Sequence, residues 1–275
     1  DENGSMTEPS PRARRRSAEE VRALMIETGS AMVLRDGVVL DMANLSFEEV
    51  IRASGAPRTT AYRLWPQRVD FLVELLDSLF GVDGSREPVG GFDEGTLILV
   101  EQVLHQMRDQ MLTPEGRSVV LREITRQGLA RNLTAVTDSI PWRAYRSAIA
   151  VVTSGAFADD EEHVLREGLR RIEERFLDRM AGVFSQLADA FQRRFISGVT
   201  PRDLAVVTAS IVEGIVERRH LLNPQLGDVR PIDITGAPTQ DWNLAAIATY
   251  AQFITLTEER DMNASSPHHH RRDSS

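Results

Sequence analysis

There is no cysteine in these 275 residues, which excludes disulfides, thiolate metal centres and cysteine nucleophiles at once. Lysine is missing as well, so all 32 basic residues are arginine. A guanidinium binds phosphate or guanine through two parallel hydrogen bonds where an ammonium acts as a point charge, so the cationic chemistry of this chain is planar and directional. No apolar run approaches the ~20 residues a membrane-crossing helix needs, and the N-terminus lacks the apolar core of a secretory signal. A soluble, cytoplasmic protein without membrane contact is expected. Catalytic signatures are missing too: there is no P-loop, no GxGxxG after a strand, no HExxH and no GxSxG. His163 and Glu167 stand one helical turn apart, but with only His105 and His220 elsewhere before the tail they read as a surface ion pair. No metal, cofactor or enzymatic activity is therefore expected.

What is present is ordinary globular material, 41% hydrophobic and 27% charged, in a length that suits one large domain or two moderate ones. Two are expected. The formal charge of -9 opposes indiscriminate binding to nucleic acid but leaves room for a locally basic face. Residues 1–80 hold ten arginines and thirteen acids, so any such face must come from clustering. The window Val50 to Val69 supplies it, with Arg52, Arg58, Arg63 and Arg68 and no acidic residue.

The chain opens on Gly4-Ser5-Met6, which reads as an appended leader before a natural start, and on a Pro-, Ser- and Arg-rich run. Arg12, Arg14, Arg15 and Arg16 make residues 1–16 a disordered basic arm, either a solvated tail or a segment that lies along a DNA backbone or dips into a minor groove. Ser17-Ala18-Glu19-Glu20 fits a capping box that starts a first helix, with Val21, Leu24, Met25, Thr28 and Met32 at helical spacing and Asp36-Gly37 as its stop. The apolar residues Val38, Val39, Leu40, Met42 and Leu45 form a connector. Ser46-Phe47-Glu48-Glu49 is a second capping box, and its helix turns Phe47, Val50, Ile51 and Ala53 inward before Gly55 ends it. Pro57 suits the first position of a third helix reaching Trp65, and Pro66 closes it. A fourth helix runs from about Gln67, with Val69, Leu72, Val73, Leu76 and Leu79 apolar.

Two short helices joined by a tight Gly-containing turn make a helix-turn-helix, whose second helix is placed to enter a major groove. With Ala61, Leu64 and Trp65 inward, Arg58, Thr59, Tyr62 and Arg63 take the outer surface and Thr60 its edge. Aromatics flanking a short helix are usually core; Trp65 is read that way, and Tyr62, on the face of Arg58, is assigned to DNA.

The run Gly55-Ala56-Pro57-Arg58-Thr59-Thr60-Ala61-Tyr62-Arg63-Leu64-Trp65-Pro66-Gln67-Arg68, preceded by Val50-Ile51-Arg52-Ala53, resembles the DNA-binding signature of the tetracycline-repressor (TetR) family over residues 17–76. The resemblance implies an all-α protein: an N-terminal helix-turn-helix three-helix DNA-binding domain followed by a larger helical ligand-binding and dimerisation domain. It implies a homodimer on a near-palindromic double-stranded DNA operator, and a small-molecule effector. By the same resemblance Arg58, Thr59 and Thr60 contact bases or phosphates, while Tyr62 and Arg68 contact the backbone. Ser46, Arg52 and Arg63 complete the expected DNA-binding set. Two features depart from the family pattern: a longer connector over 37–45, and Ala56-Pro57 where a capping residue is usual.

The expected organisation is an arm (1–16), a DNA-binding domain (17–80), a Gly- and Pro-rich connector (81–91), a helical domain (92–259) and a disordered tail (260–275) whose His268, His269 and His270 are incidental. Helical segments are read near 92–112, 114–131, 134–155, 159–196, 201–222 and 241–259, the second and fifth opened by Thr113-Pro114 and Thr200-Pro201. The long fourth segment carries Leu165, Leu169, Ile172, Phe176, Met180, Val183, Leu187 and Phe191 on one face, opposed by the i,i+4 pairs Glu162 with Arg166 and Glu167 with Arg171. Candidate effector-pocket residues are His105, Met107, Met111, Trp142, Tyr145, Phe176 and Met180, chosen as aromatic, polarisable or polar groups at helical spacing. Resemblance assigns the homodimer interface to the last two helices, about 201–222 and 241–259. The function expected is ligand-responsive, sequence-specific transcriptional regulation, most simply repression relieved by a small molecule. The alternative is a helical binding or enzymatic module that keeps the fold without reading DNA.

Overall fold

The computed structural model describes residues 16–36, 45–79, 94–154, 158–234 and 238–260. The basic arm before Arg16, most of the connector, the link 81–91 and the histidine-bearing tail lie outside them. Ten α-helices are found among the described residues. They are α1 (Ala18–Asp36), α2 (Phe47–Ser54), α3 (Arg58–Leu64), α4 (Arg68–Leu79), α5 (Glu94–Gln106), α6 (Pro114–Asp138), α7 (Ile140–Ser154), α8 (Asp159–Ala190), α9 (Pro201–Leu221) and α10 (Leu244–Leu256). A 3₁₀ turn, Arg108–Leu112, joins α5 to α6. Four short strands are also found among the described residues: β1 (Arg193–Phe195), β2 (Arg230–Ile232), β3 (Gln240–Trp242) and β4 (Thr257–Glu259). The all-α reading holds. Among the described residues no helix is long and apolar enough to cross a membrane.

The helix starts follow from their caps. The Ser17 hydroxyl accepts from the Glu20 amide at 3.1 Å while the Glu20 carboxylate accepts from the Ser17 amide at 2.7 Å, the reciprocal box expected there. Thr113 accepts from Gly116, and Thr200 forms a full box with Asp203, each with proline in the first turn. Two boundaries differ from the sequence reading. Helix α6 continues through residues 131–134, where nothing interrupts its periodicity, and breaks instead at Ser139, whose hydroxyl accepts from the Trp142 amide to start α7. Helix α8 ends at Ala190 rather than running on to residue 196. Gln192 then takes a left-handed φ of 54°, and β1 pairs antiparallel with β4, Arg193 opposite Glu259 and Phe195 opposite Thr257. Pairing β2 with β3 also replaces part of a segment read as loop and helix.

Three apolar clusters hold the helices together. The first joins α1 to α4, through residues such as Val21, Met25, Val50, Trp65, Phe71 and Leu75, and continues without a gap into Ala144, Tyr145, Ala148 and Val152 of α7 and Leu165, Leu169 and Ile172 of α8. The second packs Val103, Val120, Ile124 and Leu204 against Leu177, Met180 and Phe184, and the third gathers Leu129, Leu133, Trp142, Val212, Val216 and Trp242. The stripe on α8 is buried at Leu165, Leu169, Ile172, Met180 and Phe191, whereas Phe176, Val183 and Leu187 are half-buried and Leu177, Phe184 and Ala188 beside them are buried; the first half serves the N-terminal helices and the second half the rest. Opposite it, Glu162 pairs with Arg166, whereas Glu167 pairs with Arg170 at 3.0 Å rather than with Arg171.

Candidate nucleic-acid interface

Helices α2 and α3 form the helix-turn-helix. The Ser46 hydroxyl accepts from the Glu49 amide, and Gly55 ends α2 in the left-handed region at φ 64°, where glycine carries no steric penalty. Phe47, Val50 and Ile51 are buried as expected, but Ala53 is exposed, because its position on α2 turns it away from α1 and α3. Pro57 occupies the cap position rather than the first helical one. At φ -63° and ψ 120° it makes no side-chain cap, and its carbonyl receives the Thr60 and Ala61 amides. Trp65 leaves the helix with an extended backbone, as the residue before Pro66 must.

Trp65 is the anchor that fixes α3. It is 1% exposed, stacks edge-on against Phe47 and Phe71, and donates its ring N–H to Glu74 on α4 at 2.9 Å. Arg22 of α1 donates to the same Glu74 oxygen at 2.9 Å and lies 5.6 Å from the indole centroid. One seven-residue helix is therefore clamped by α1, α2 and α4. Its outer face carries Arg58, Thr59, Tyr62 and Arg63, all exposed, with Thr60 half-buried at the edge. Arg52 is exposed on α2, Ser46 is half-buried at that helix's cap, and Arg68 is half-buried as the first residue of α4.

A carboxylate that the sequence window did not include stands on this face. Glu48, in the first turn of α2, accepts at its Oε1 from Arg58 Nη2 at 2.6 Å and from the Tyr62 hydroxyl at 2.5 Å. The Arg58 guanidinium also lies 5.7 Å from the Tyr62 ring centroid, and the Tyr62 ring meets Phe47 edge-on at 5.3 Å. Accepting that hydrogen bond, and adding a negative charge nearby, Glu48 raises the phenol's pKa. Tyr62 is 42% exposed, so it belongs both to the outer surface and to the packing of α2 against α3. The acid-free stretch of sequence is not acid-free in space.

The candidate effector residues fall in separate places. Met107, Met111, Phe176 and Met180 pack in the second cluster, Trp142 in the third and Tyr145 in the first, while His105 is exposed on α5. Trp142 and Tyr145 share a polar neighbourhood. The Tyr145 hydroxyl donates to Glu173 at 2.5 Å, and Arg146, 5.9 Å from the Trp142 ring, pairs with Glu213 at 3.4 Å and with Glu217. Burial, then the Glu173 charge, pushes the Tyr145 phenol strongly up, and burial raises the Glu213 carboxyl against the pull of Arg146. A separate open groove of about 690 Å³ lies between α1, α4 and α8, lined by Arg22, Ile26, Val73, Asp77 and Arg171 among others.

No protein-family profile and no curated protein matches the sequence. Among solved structures, the chain is similar to the flavonoid-responsive regulator FrrA, at 15% identity over 88% of this chain and 100% of that one, with a TM-score of 0.48. It is also similar to NalD, the secondary repressor of the MexAB-OprM multidrug efflux pump in Pseudomonas aeruginosa, at 18% identity over 89% of this chain and 98% of that one, with a TM-score of 0.38.

Proposed function

We propose that this protein is a ligand-responsive, sequence-specific DNA-binding transcriptional regulator, a repressor that leaves its operator when a small molecule binds. The observation that carries this reading is a seven-residue helix, held on three sides, whose free face presents Arg58, Thr59, Tyr62 and Arg63 to solvent. Arginine and threonine on a rigid helix suit base edges and phosphates in a major groove. The resemblance of residues 50–68 to the tetracycline-repressor signature supports the same assignment.

The regulator acts as a homodimer through α9 and α10. Their inner faces, Leu204, Ala205, Val212 and Val216 with Ala245, Ala246 and Phe253, are satisfied within the chain. Val206 and Ile254 remain exposed, and Val207, Ile211, Ile247 and Ala248 half-buried, which is more apolar width than one chain buries. A twofold dimer sets two copies of α3 in successive major grooves about 34–36 Å apart and reads a near-palindrome. An effector held in the helical domain shifts that spacing through the core that α7 and α8 share with α1 to α4, and coupling of ~1–3 kcal/mol changes operator affinity roughly 5- to 150-fold. Gel shift and footprinting with the DNA upstream of the gene test this. One protected near-palindrome is expected, and saturable binding without sequence preference at physiological salt overturns it.

A further inference from the structure

We propose that Glu48 is a specificity-determining positioning residue of the DNA-reading surface, an inference that rests on the DNA-binding reading above. Arginine on a solvent-exposed face ordinarily samples many rotamers, and ordering it on a base costs affinity. Arg58 does not have that freedom. Although its side chain is 69% exposed, it is held by the Glu48 carboxylate at 2.6 Å and laid against the Tyr62 ring at 5.7 Å. Tyr62 is fixed in turn by the same carboxylate oxygen at 2.5 Å and by the edge of Phe47, itself buried.

The ion pair is a one-point contact through Arg58 Nη2. That nitrogen carries a second N–H, so the guanidinium still presents two parallel donors to the O6 and N7 of a guanine while Glu48 keeps its grip. The carboxylate thus prepares Arg58 for one base rather than for any phosphate. Its charge has a second effect. Glu48 is 40% exposed on the face that meets DNA, so in every register where Arg58 finds no guanine it opposes the phosphate backbone without recompense. Both effects push one way: Glu48 lowers affinity for arbitrary duplex and raises the ratio of specific to non-specific binding.

The test uses the full chain and a duplex enriched by the wild-type protein from a random pool, with a shuffled duplex of the same composition as comparison. Affinities of wild type, Glu48→Gln and Glu48→Ala for both are measured at two salt concentrations, with thermal unfolding recorded alongside. The glutamine, equal in shape and neutral, should bind the shuffled duplex more tightly, with that gain shrinking at the higher salt, and should lose about tenfold in the specific-to-non-specific ratio, within the range that one bidentate base contact commands. The alanine should lose at least as much of the ratio. If Glu48 merely shields Arg58, both duplexes gain equally and the ratio stands, which overturns the inference. If Glu48 is only a structural support, both affinities fall together with the melting temperature, which also overturns it. Should the wild-type chain enrich no sequence, the DNA-binding reading itself fails and this inference with it.

Discussion

Gly168 lies where α8 crosses α4, and an added Cβ there would stand 2.7 Å from both Cγ1 and Cγ2 of Val73 and 3.2 Å from its Cβ. Val73 is buried and β-branched, so it has little room to swing its methyls away. Gly168→Ala therefore overpacks the contact by which α8 holds α4, at about 1–3 kcal/mol. Alanine in place of glycine within a helix returns roughly 1 kcal/mol, so the net loss expected is up to about 2 kcal/mol. In a Val73→Ala background the two clashing methyls are gone, and the remaining approach relaxes by a few tenths of an ångström. The same Gly168→Ala change should then stabilise by up to about 1 kcal/mol. Val73→Ala alone loses two buried methyl groups and costs ~2 kcal/mol. Urea unfolding of the four proteins closes the double-mutant cycle, with an interaction energy of at least ~1 kcal/mol expected. Additivity within ~0.5 kcal/mol would refute the packing argument.

Three further outcomes follow from the same structure. Arg58→Ala and Arg63→Ala should each weaken operator binding by ~1–3 kcal/mol and relax its sequence preference, while Arg68→Ala should weaken all duplexes alike and lower the salt slope by about one, as fluorescence anisotropy across a salt series would read. Gly55→Ala meets no atom within 4 Å but must hold a φ of 64°, so it should cost ~1–2 kcal/mol in unfolding, and Gly55→Asn less. Burial keeps the Glu213 proton bound in the native chain above the pH at which the unfolded chain releases it. Stability from that proton is present below the ordinary glutamate range and is lost as pH rises through the raised value. Glu213→Gln removes this loss, so its stability relative to wild type should improve steadily from acid to neutral pH; a difference that is flat with pH contradicts it.

The local devices were legible because they act within a few residues. Ser17 with Glu20 is written in a four-residue spacing, and Thr200-Pro201, Gly55 and Trp65 before Pro66 in one or two adjacent residues. The outward set Arg58, Thr59, Tyr62 and Arg63 follows from helical periodicity, and the burial of Trp65 from the habit of aromatics beside a short helix. What periodicity does not carry is pairing at a distance. The spacing carries the long helix on to residue 196, whereas Arg193 pairs with Glu259 across 66 positions of chain. The Glu48 contact lies beyond a charge count along a window for a related reason, since such a count ignores a carboxylate that the fold brings onto Arg58 and Tyr62. Methionine and aromatic side chains chosen for a pocket serve packing equally well, and here they are spread over three clusters.

If α3 reads base sequence, as proposed, selection from a pool of random duplexes shows it most directly. The wild-type chain at physiological salt should enrich a near-palindrome whose half-sites stand about one helical turn apart, with guanine at the position that Arg58→Ala no longer distinguishes. A pool that emerges unenriched, or one whose preferred sequence is unchanged in Arg58→Ala and Arg63→Ala, would contradict it.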